Sequence, residues 1–198
     1  MDYQQPHFYK FNSDSISLSN LAIQYSKDSC DEYKTLLDLG CGCGVVGIEV
    51  ANQLNTIEYL SLVEVQQDYQ DSIQFNLQNL LIREVENKTS YKSFSQIGEQ
   101  LDETFDLIVC NPPYFTPGKG RKSSNVQRQI CRTFEMDSPQ ILMKLILNSL
   151  SEKGKAFILM PKAEIQWQQI KDEYHNNIQK LSEESDIEIY LVFHPNSN

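Results

Sequence analysis

The sequence has no long hydrophobic run, no cysteine framework and little histidine, and each shortage excludes something. Its longest apolar stretches, such as Leu145-Ile146-Leu147 and Phe157 to Met160, fall far short of the ~18 residues a membrane-spanning helix needs. The N-terminus, MDYQQPHFYKF, has no basic stretch leading into an apolar one, so no signal peptide is expected. The five cysteines are Cys30, Cys41, Cys43, Cys110 and Cys131. An odd number without a framework spacing predicts reduced thiols and a cytoplasmic location. Cys41-x-Cys43 is not a zinc spacing, and His7, His175 and His194 are scattered, so no metal is expected. Basic residues are also in deficit, with 17 Lys and Arg against 27 Asp and Glu, a net charge of −10. That balance excludes a general nucleic-acid coat.

What remains is an ordinary globular composition. The 198 residues are 40% apolar and 22% charged, which suits one domain over residues 1–198. Residues 1–34 are expected to form a lead-in segment and helix, and residues 35–198 an α/β core. Nothing in the chain specifies an oligomer, and a monomer is the expectation.

Strand-like apolar runs alternate with helical periodicity. Thr35 to Gly40, Tyr59 to Val65, Phe105 to Asn111, Lys155 to Met160 and Ile187 to Phe193 read as strands. A short strand near Ser90 to Phe94 is a weaker signal. Val46, Val50 and Leu54 recur at helical spacing, as do Ile73, Leu77 and Leu80. Ser138 followed by Pro139 marks a helix start, with Gly154 ending that unit. Ile170, Tyr174, Ile178 and Leu181 predict one further helix. Continuous apolar strands alternating with helices imply a doubly wound, mostly parallel sheet covered on both faces. Only one convincing strand follows the last helix, so a shortened C-terminal sheet edge is expected. In such sheets ligands sit beyond the carboxyl ends of the strands.

Two segments at predicted strand ends carry the chemistry. Four of the eight glycines fall in Asp38-Leu-Gly-Cys-Gly-Cys-Gly-Val-Val-Gly47. Glycine permits a tight turn and close approach of a ligand to the backbone. Gly42-x-Gly44-x-x-Gly47 fits a dinucleotide fingerprint, with Glu64 as the ribose acid. The alternative frame is Asp38-x-Gly40-x-Gly42-x-Gly44, with the same Glu64 after the second strand. The second segment, Asn111-Pro112-Pro113-Tyr114, follows a buried strand directly. Two prolines take the chain out of the sheet in a stiff extended shape. This fixes the Asn111 amide and the Pro112 carbonyl as acceptors for an NH2 group, beside the ring face of Tyr114.

Together these residues resemble the class I S-adenosylmethionine methyltransferases that act on planar amino nitrogens. The resemblance implies that the glycine loop holds the cofactor's amino acid and ribose portions, that Glu64 binds the ribose hydroxyls, and that Asp38 fixes the methionine moiety or the loop. It makes Val65, Phe94 and Asn111 cofactor contacts as well, and Asn111 to Tyr114 the catalytic segment. Dinucleotide loops do not usually carry an acid at the Asp38 position, which disfavours a nicotinamide-dependent oxidoreductase. Family members often have an acid after the third strand; here Ser93-Phe94 stands there without a carboxylate. A degenerate cofactor-binding protein is the corresponding non-enzyme alternative.

Charge is distributed unevenly. Between Leu107 and Phe134 there is no acid, while Lys119, Arg121, Lys122, Arg128 and Arg132 give that window a net charge of +5. The rest of a chain totalling −10 therefore carries −15. A basic segment beside the Asn-Pro-Pro-Tyr motif suits a nucleic acid whose base enters the pocket. The motif order, together with Lys10-Phe-Asn-Ser-Asp-Ser-Ile-Ser-Leu18 and Arg132-Thr-Phe-Glu135, resembles the bacterial tRNA adenine-N6 methyltransferases that modify A37 of a valine tRNA. The implied partner is RNA, at a tRNA anticodon loop, where an unpaired base can splay into a stacking pocket. A glutamine-N5 methyltransferase of release factors shares the chemistry, but such enzymes usually carry an extra N-terminal helical domain. A DNA adenine methyltransferase normally brings a target-recognition domain.

Overall fold

The apolar runs pair with one another as the interior of a seven-stranded sheet. The computed structural model describes residues 2–29, 31–115, 123–135 and 137–194. In chain order the elements are α1 (Ser13–Ser29), β1 (Thr35–Leu39), α2 (Val45–Gln53), β2 (Tyr59–Glu64), α3 (Gln70–Leu80), β3 (Glu86–Tyr91), α4 (Phe94–Ile97), β4 (Phe105–Cys110), α5 (Val126–Ile130), α6 (Pro139–Ser149), β5 (Leu150–Pro161), α7 (Ile165–Glu173), β6 (Ile178–Glu184) and β7 (Ile187–Phe193). The strand order is β3-β2-β1-β4-β5-β7-β6. Strands β3, β2, β1, β4 and β5 are parallel, and β7 runs antiparallel to both its neighbours.

The side-chain period of two sorts each central strand between two cores. Leu36 of β1 and Leu107 and Val109 of β4 join a cluster with Leu18 and Ala22 of α1, Val46 and Val50 of α2, and Ile73 of α3. Leu37 and Leu39 of β1 and Ile108 and Cys110 of β4 face the other way, toward Phe94 of α4, Leu142 and Ile146 of α6, and Trp167 and Ile170 of α7. Helices thus cover both faces, as the alternation predicts. Helix α6 starts as its sequence signals, with Ser138 Oγ accepting the Ile141 N–H at 3.2 Å and Pro139 in the first turn.

The sheet edges differ from expectation. The C-terminal edge is complete rather than shortened. Helix α7 stops at Glu173, and Ile178 to Glu184 form β6, which pairs with β7. Ile178 and Leu181 are three apart, which mimics a helical stripe. In a strand that spacing puts them on opposite faces, and each packs against a different core. A register shift between Lys180 and Ser182 further hides the strand period. At the other edge, β3 has the sequence ENKTSY and its first three residues are exposed, so it carries no apolar run to read. It ends before Phe94, which instead opens α4. Gly154 does not end the α6 unit; α6 stops at Ser149, and Gly154 lies inside β5, where a Cβ would meet the Phe105 carbonyl at 2.7 Å.

The strand order reverses between β1 and β4, so the loops after β1, β2 and β4 diverge around a crevice at their carboxyl ends. Both chemistry-bearing segments leave the sheet there. Among the described residues no helix is long and apolar enough to cross a membrane.

Candidate active site

The loop after β1 is held by backbone bonds and by three glycines in the left-handed region. Gly40 and Cys41 both donate to the Val63 carbonyl, at 2.8 and 3.0 Å, and Gly44 donates to the Cys41 carbonyl at 2.8 Å. Gly40, Gly42 and Gly44 have φ of 72°, 55° and 83°, a conformation that costs other residues roughly 1–2 kcal/mol each. Gly47 serves differently. It lies in α2 at ordinary φ, and a Cβ there would come within 3.0 Å of the Asp38 Cβ and Oδ2. The missing side chain lets α2 sit on β1, with Gly47 N–H donating to Asp38 Oδ2 at 2.8 Å.

Asp38 is 1% exposed. Burial pushes its carboxyl up to about 7; the Gly47 N–H opposes this rise and the nearby Glu64 carboxylate adds to it. Glu64 closes the end of β2. Its Oε2 accepts the Gly42 N–H and its Oε1 the Gln66 N–H, each at 2.9 Å. Burial raises the Glu64 carboxyl above the ordinary range, against the pull of the Gln66, Gly42 and Val65 backbone bonds. One acid therefore ties the glycine loop to the segment after β2.

Beyond β4, Asn111 lies over the start of α1. Its Nδ2 donates to Ser15 Oγ at 3.0 Å. The Tyr114 hydroxyl lies 3.0 Å from Asn111 Oδ1 and 2.9 Å from Asp14 Oδ2. Burial, followed by the Asp14 carboxylate, drives the Tyr114 phenol well above its ordinary range. After the motif the chain turns back: Phe115 bridges Thr133, its N–H donating to the Arg132 carbonyl at 3.0 Å. The Arg132 guanidinium lies over the Phe115 ring, 5.5 Å from its centroid.

These pieces enclose a cavity of about 380 Å³, within the range of about 300–1,000 Å³ usual for small-molecule sites. Asp38, Gly40, Gly42, Glu64, Val65, Phe94, Asn111, Pro112, Pro113, Tyr114 and Arg132 all line it. Gly44 does not, and shapes the loop from behind. Arg128 sits exposed on α5, outside the lining, its N–H capped by Asn125. Lys119, Arg121 and Lys122 fall outside the described residues. Among the described residues no group of three or more His, Cys, Asp or Glu gathers as a metal site.

Several lining residues carry no sequence signal of their own. Ser15 comes from the first turn of α1, and Pro6 and Tyr9 from the lead-in; Asp14, beside Ser15, stands behind the lining and reaches it through the Tyr114 hydroxyl. Asp137 reaches the start of α4, accepting from Phe94 N–H at 3.2 Å and from Ser95 N–H and Oγ at 2.7 Å each. It brings a carboxylate to the spot where Ser93-Phe94 lacks one. In sequence Asp137 is just the residue before a helix cap, and only the fold reveals this second contact.

The arrangement fits S-adenosylmethionine. A loop that leaves three side chains out borders a cavity of suitable size. Glu64 has about four acceptor positions as a carboxylate; backbone N–H groups take only part of them, and the remainder suits a ribose diol.

Comparison with known proteins agrees in kind. A family model described as the methyltransferase small domain matches residues 18–190. The tRNA1(Val) (adenine(37)-N6)-methyltransferase of Haemophilus influenzae is 31% identical over 130 residues, covering 65% of this chain and 53% of that protein. The protein of the same name from Aliivibrio salmonicida is 28% identical over 131 residues, covering 66% and 53%. The chain thus spans about half the length of the curated relatives it matches. Among solved structures, the hMettl16 catalytic domain in complex with MAT2A 3'UTR hairpin 1 matches with a TM-score of 0.68 at 15% identity, over 100% of this chain and 75% of that one. The T. thermophilus 16S rRNA N2 G1207 methyltransferase (RsmC), in complex with AdoMet and guanosine, matches with 0.66 at 16% identity, over 93% and 43%. At such identities the likeness to these two structures establishes the fold.

Proposed function

The chain belongs to the methyltransferase small domain family, and from that premise we propose that it is an S-adenosyl-L-methionine-dependent N-methyltransferase acting on N6 of an adenine in RNA, with A37 of a valine tRNA as its target. The observation that carries this reading is that the glycine loop, Glu64 and Asn111 to Tyr114 open into one cavity. A cofactor held by the first two is thereby brought against acceptors supplied by the last.

S-adenosyl-L-methionine supplies an electrophilic methyl group on a sulfonium, which passes to an attacking nitrogen that then sheds a proton. The chain's own residues position and polarise. Glu64 accepts from the ribose hydroxyls, while Asp38 holds the loop through Gly47. Val65 and Phe94 offer apolar contact to the cofactor's base. The Asn111 carbonyl oxygen and the Pro112 carbonyl accept the two N–H bonds of the target amine. This favours a pyramidal nitrogen whose lone pair is free to attack. Tyr114 gives the base a ring to stack on. Positioning and electrostatics carry such a reaction, and no strong base is needed before attack, because the nitrogen becomes acidic only as the new bond forms.

The basic window from Leu107 to Phe134 favours RNA over a glutamine-bearing protein, since phosphates reward clustered cations. Arg132 sits at the cavity itself. The supporting relatives are named for this tRNA reaction. The test is methyl transfer from labelled cofactor to total tRNA, release factor and DNA in parallel. Label in tRNA alone is expected. Label in release factor with none in tRNA overturns the RNA assignment.

A further inference from the structure

The Tyr114 hydroxyl has one proton and two acceptors within reach: Asp14 Oδ2 at 2.9 Å and Asn111 Oδ1 at 3.0 Å. An ionised carboxylate is the stronger acceptor, because a charge-assisted bond is roughly twice as strong as a neutral one. The proton therefore goes to Asp14. That leaves two oxygens, Asn111 Oδ1 and the phenol oxygen, 3.0 Å apart with no proton between them. The other end of the Asn111 amide meets α1, Nδ2 donating to Ser15 Oγ at 3.0 Å. Both residues line the cavity, and the pair of oxygens wants an N–H.

We propose that Asp14 is a positioning residue: by taking the Tyr114 proton it keeps the Asn111 carbonyl oxygen unoccupied for the N–H of the target amine. Removing the carboxylate reverses this. Tyr114 then donates into Asn111 Oδ1, and the amine has to displace that bond. The same tether holds the Tyr114 ring plane, but this second effect is separable, because it depends on the hydroxyl being held and not on which way its proton points. Asp14 itself is kept in place by the Asn12 amide, whose Nδ2 donates to Oδ2 at 2.8 Å.

The proposal rests on the amine-methylation reading above, and its test separates the two. Asp14→Ala is expected to lower kcat about fivefold, the size of one net neutral hydrogen bond, with the KM for tRNA changed by less than about twofold. Asp14→Ala combined with Tyr114→Phe removes the competing donor as well, and is expected to recover several-fold over Asp14→Ala alone, reaching the level of Tyr114→Phe. A merely structural role for Asp14 predicts the opposite, a double variant no better than the single one, and that result overturns the proposal. Thermal melts identify any variant that fails to fold, and Asp14→Asn, which keeps a neutral acceptor, is expected to lie between wild type and alanine. The side-chain amide resonance of Asn111 in 15N-labelled protein gives a readout without substrate. It is expected to shift in Asp14→Ala and to return toward wild type in the double variant. If wild type methylates no amine, the reaction assignment fails while this resonance still decides the direction of the proton. An unshifted resonance in Asp14→Ala overturns the proposal.

Discussion

Replacing Glu64 with glutamine swaps one carboxylate oxygen for an NH2 group in a site where both oxygens already work. The two oxygens accept Gly42 N–H and Gln66 N–H, each at 2.9 Å, in a side chain 5% exposed. A glutamine oxygen satisfies one of these donors and leaves the other facing an N–H. A buried donor without a partner costs about 1–3 kcal/mol, which in a chain of this size lowers the melting temperature by about 2–12 °C. The same swap takes an acceptor away from the ribose diol. A hydrogen bond to a charged group is worth about 1.5–3 kcal/mol, so cofactor affinity is expected to fall roughly 10- to 150-fold. Calorimetric titration with S-adenosylhomocysteine, alongside a melt, reads both. A melt that drops as expected with an affinity within threefold of wild type refutes the reasoning: Glu64 would then be a loop tie and not a ribose ligand.

Three further outcomes follow from the same geometry. Gly47→Ala puts a Cβ 3.0 Å from Asp38 Cβ and 3.2 Å from Leu60 Cδ1; overpacking of this kind costs about 1–3 kcal/mol, and an unchanged chemical-denaturation midpoint would contradict it. Asp38 titrates at about 7 in the fold and near ~4 when unfolded. Its protonated form is favoured by folding, so its contribution to stability is greatest at about pH 4 and declines as the pH climbs to about 7. Asp38→Asn is expected to flatten that window in melts of the cofactor-free protein, and an identical slope would sink the assignment. Arg128→Ala, on the exposed side of α5, is expected to weaken tRNA binding and reduce the slope of log affinity against log salt by about 1; an unchanged slope would return Arg128 to an ordinary surface role.

What could be read in the sequence follows from where the information sits. Strands β1, β2, β4, β5 and β7 are buried along most of their length, so their apolar runs stand out. The edges β3 and β6 bury little and are written in polar residues, and burial is the signal that sequence patterns carry. The glycine loop, Glu64 and Asn111 to Tyr114 were legible because each motif is local and follows a strand. Asp14 and Asp137 were not, because their contacts with Tyr114 and Phe94 bridge 100 and 43 residues. The Lys10 to Leu18 stretch carries a family resemblance, but only the fold gives its aspartate a partner. The charge window was legible as a count, and the structure locates just two of its five cations, with Arg132 at the cavity and Arg128 outside it.

In the proposed reaction Asn111 accepts from the adenine amine beside a cofactor held by the glycine loop. Its most direct test is nucleoside analysis of valine tRNA after incubation with labelled cofactor, run with wild type and Asn111→Ala in parallel with a calorimetric titration of both. N6-methyladenosine at position 37 is expected with wild type and none with Asn111→Ala, with cofactor affinities within a few-fold of each other. A methylated product that persists with Asn111→Ala, or label in a nucleoside other than N6-methyladenosine, would contradict it.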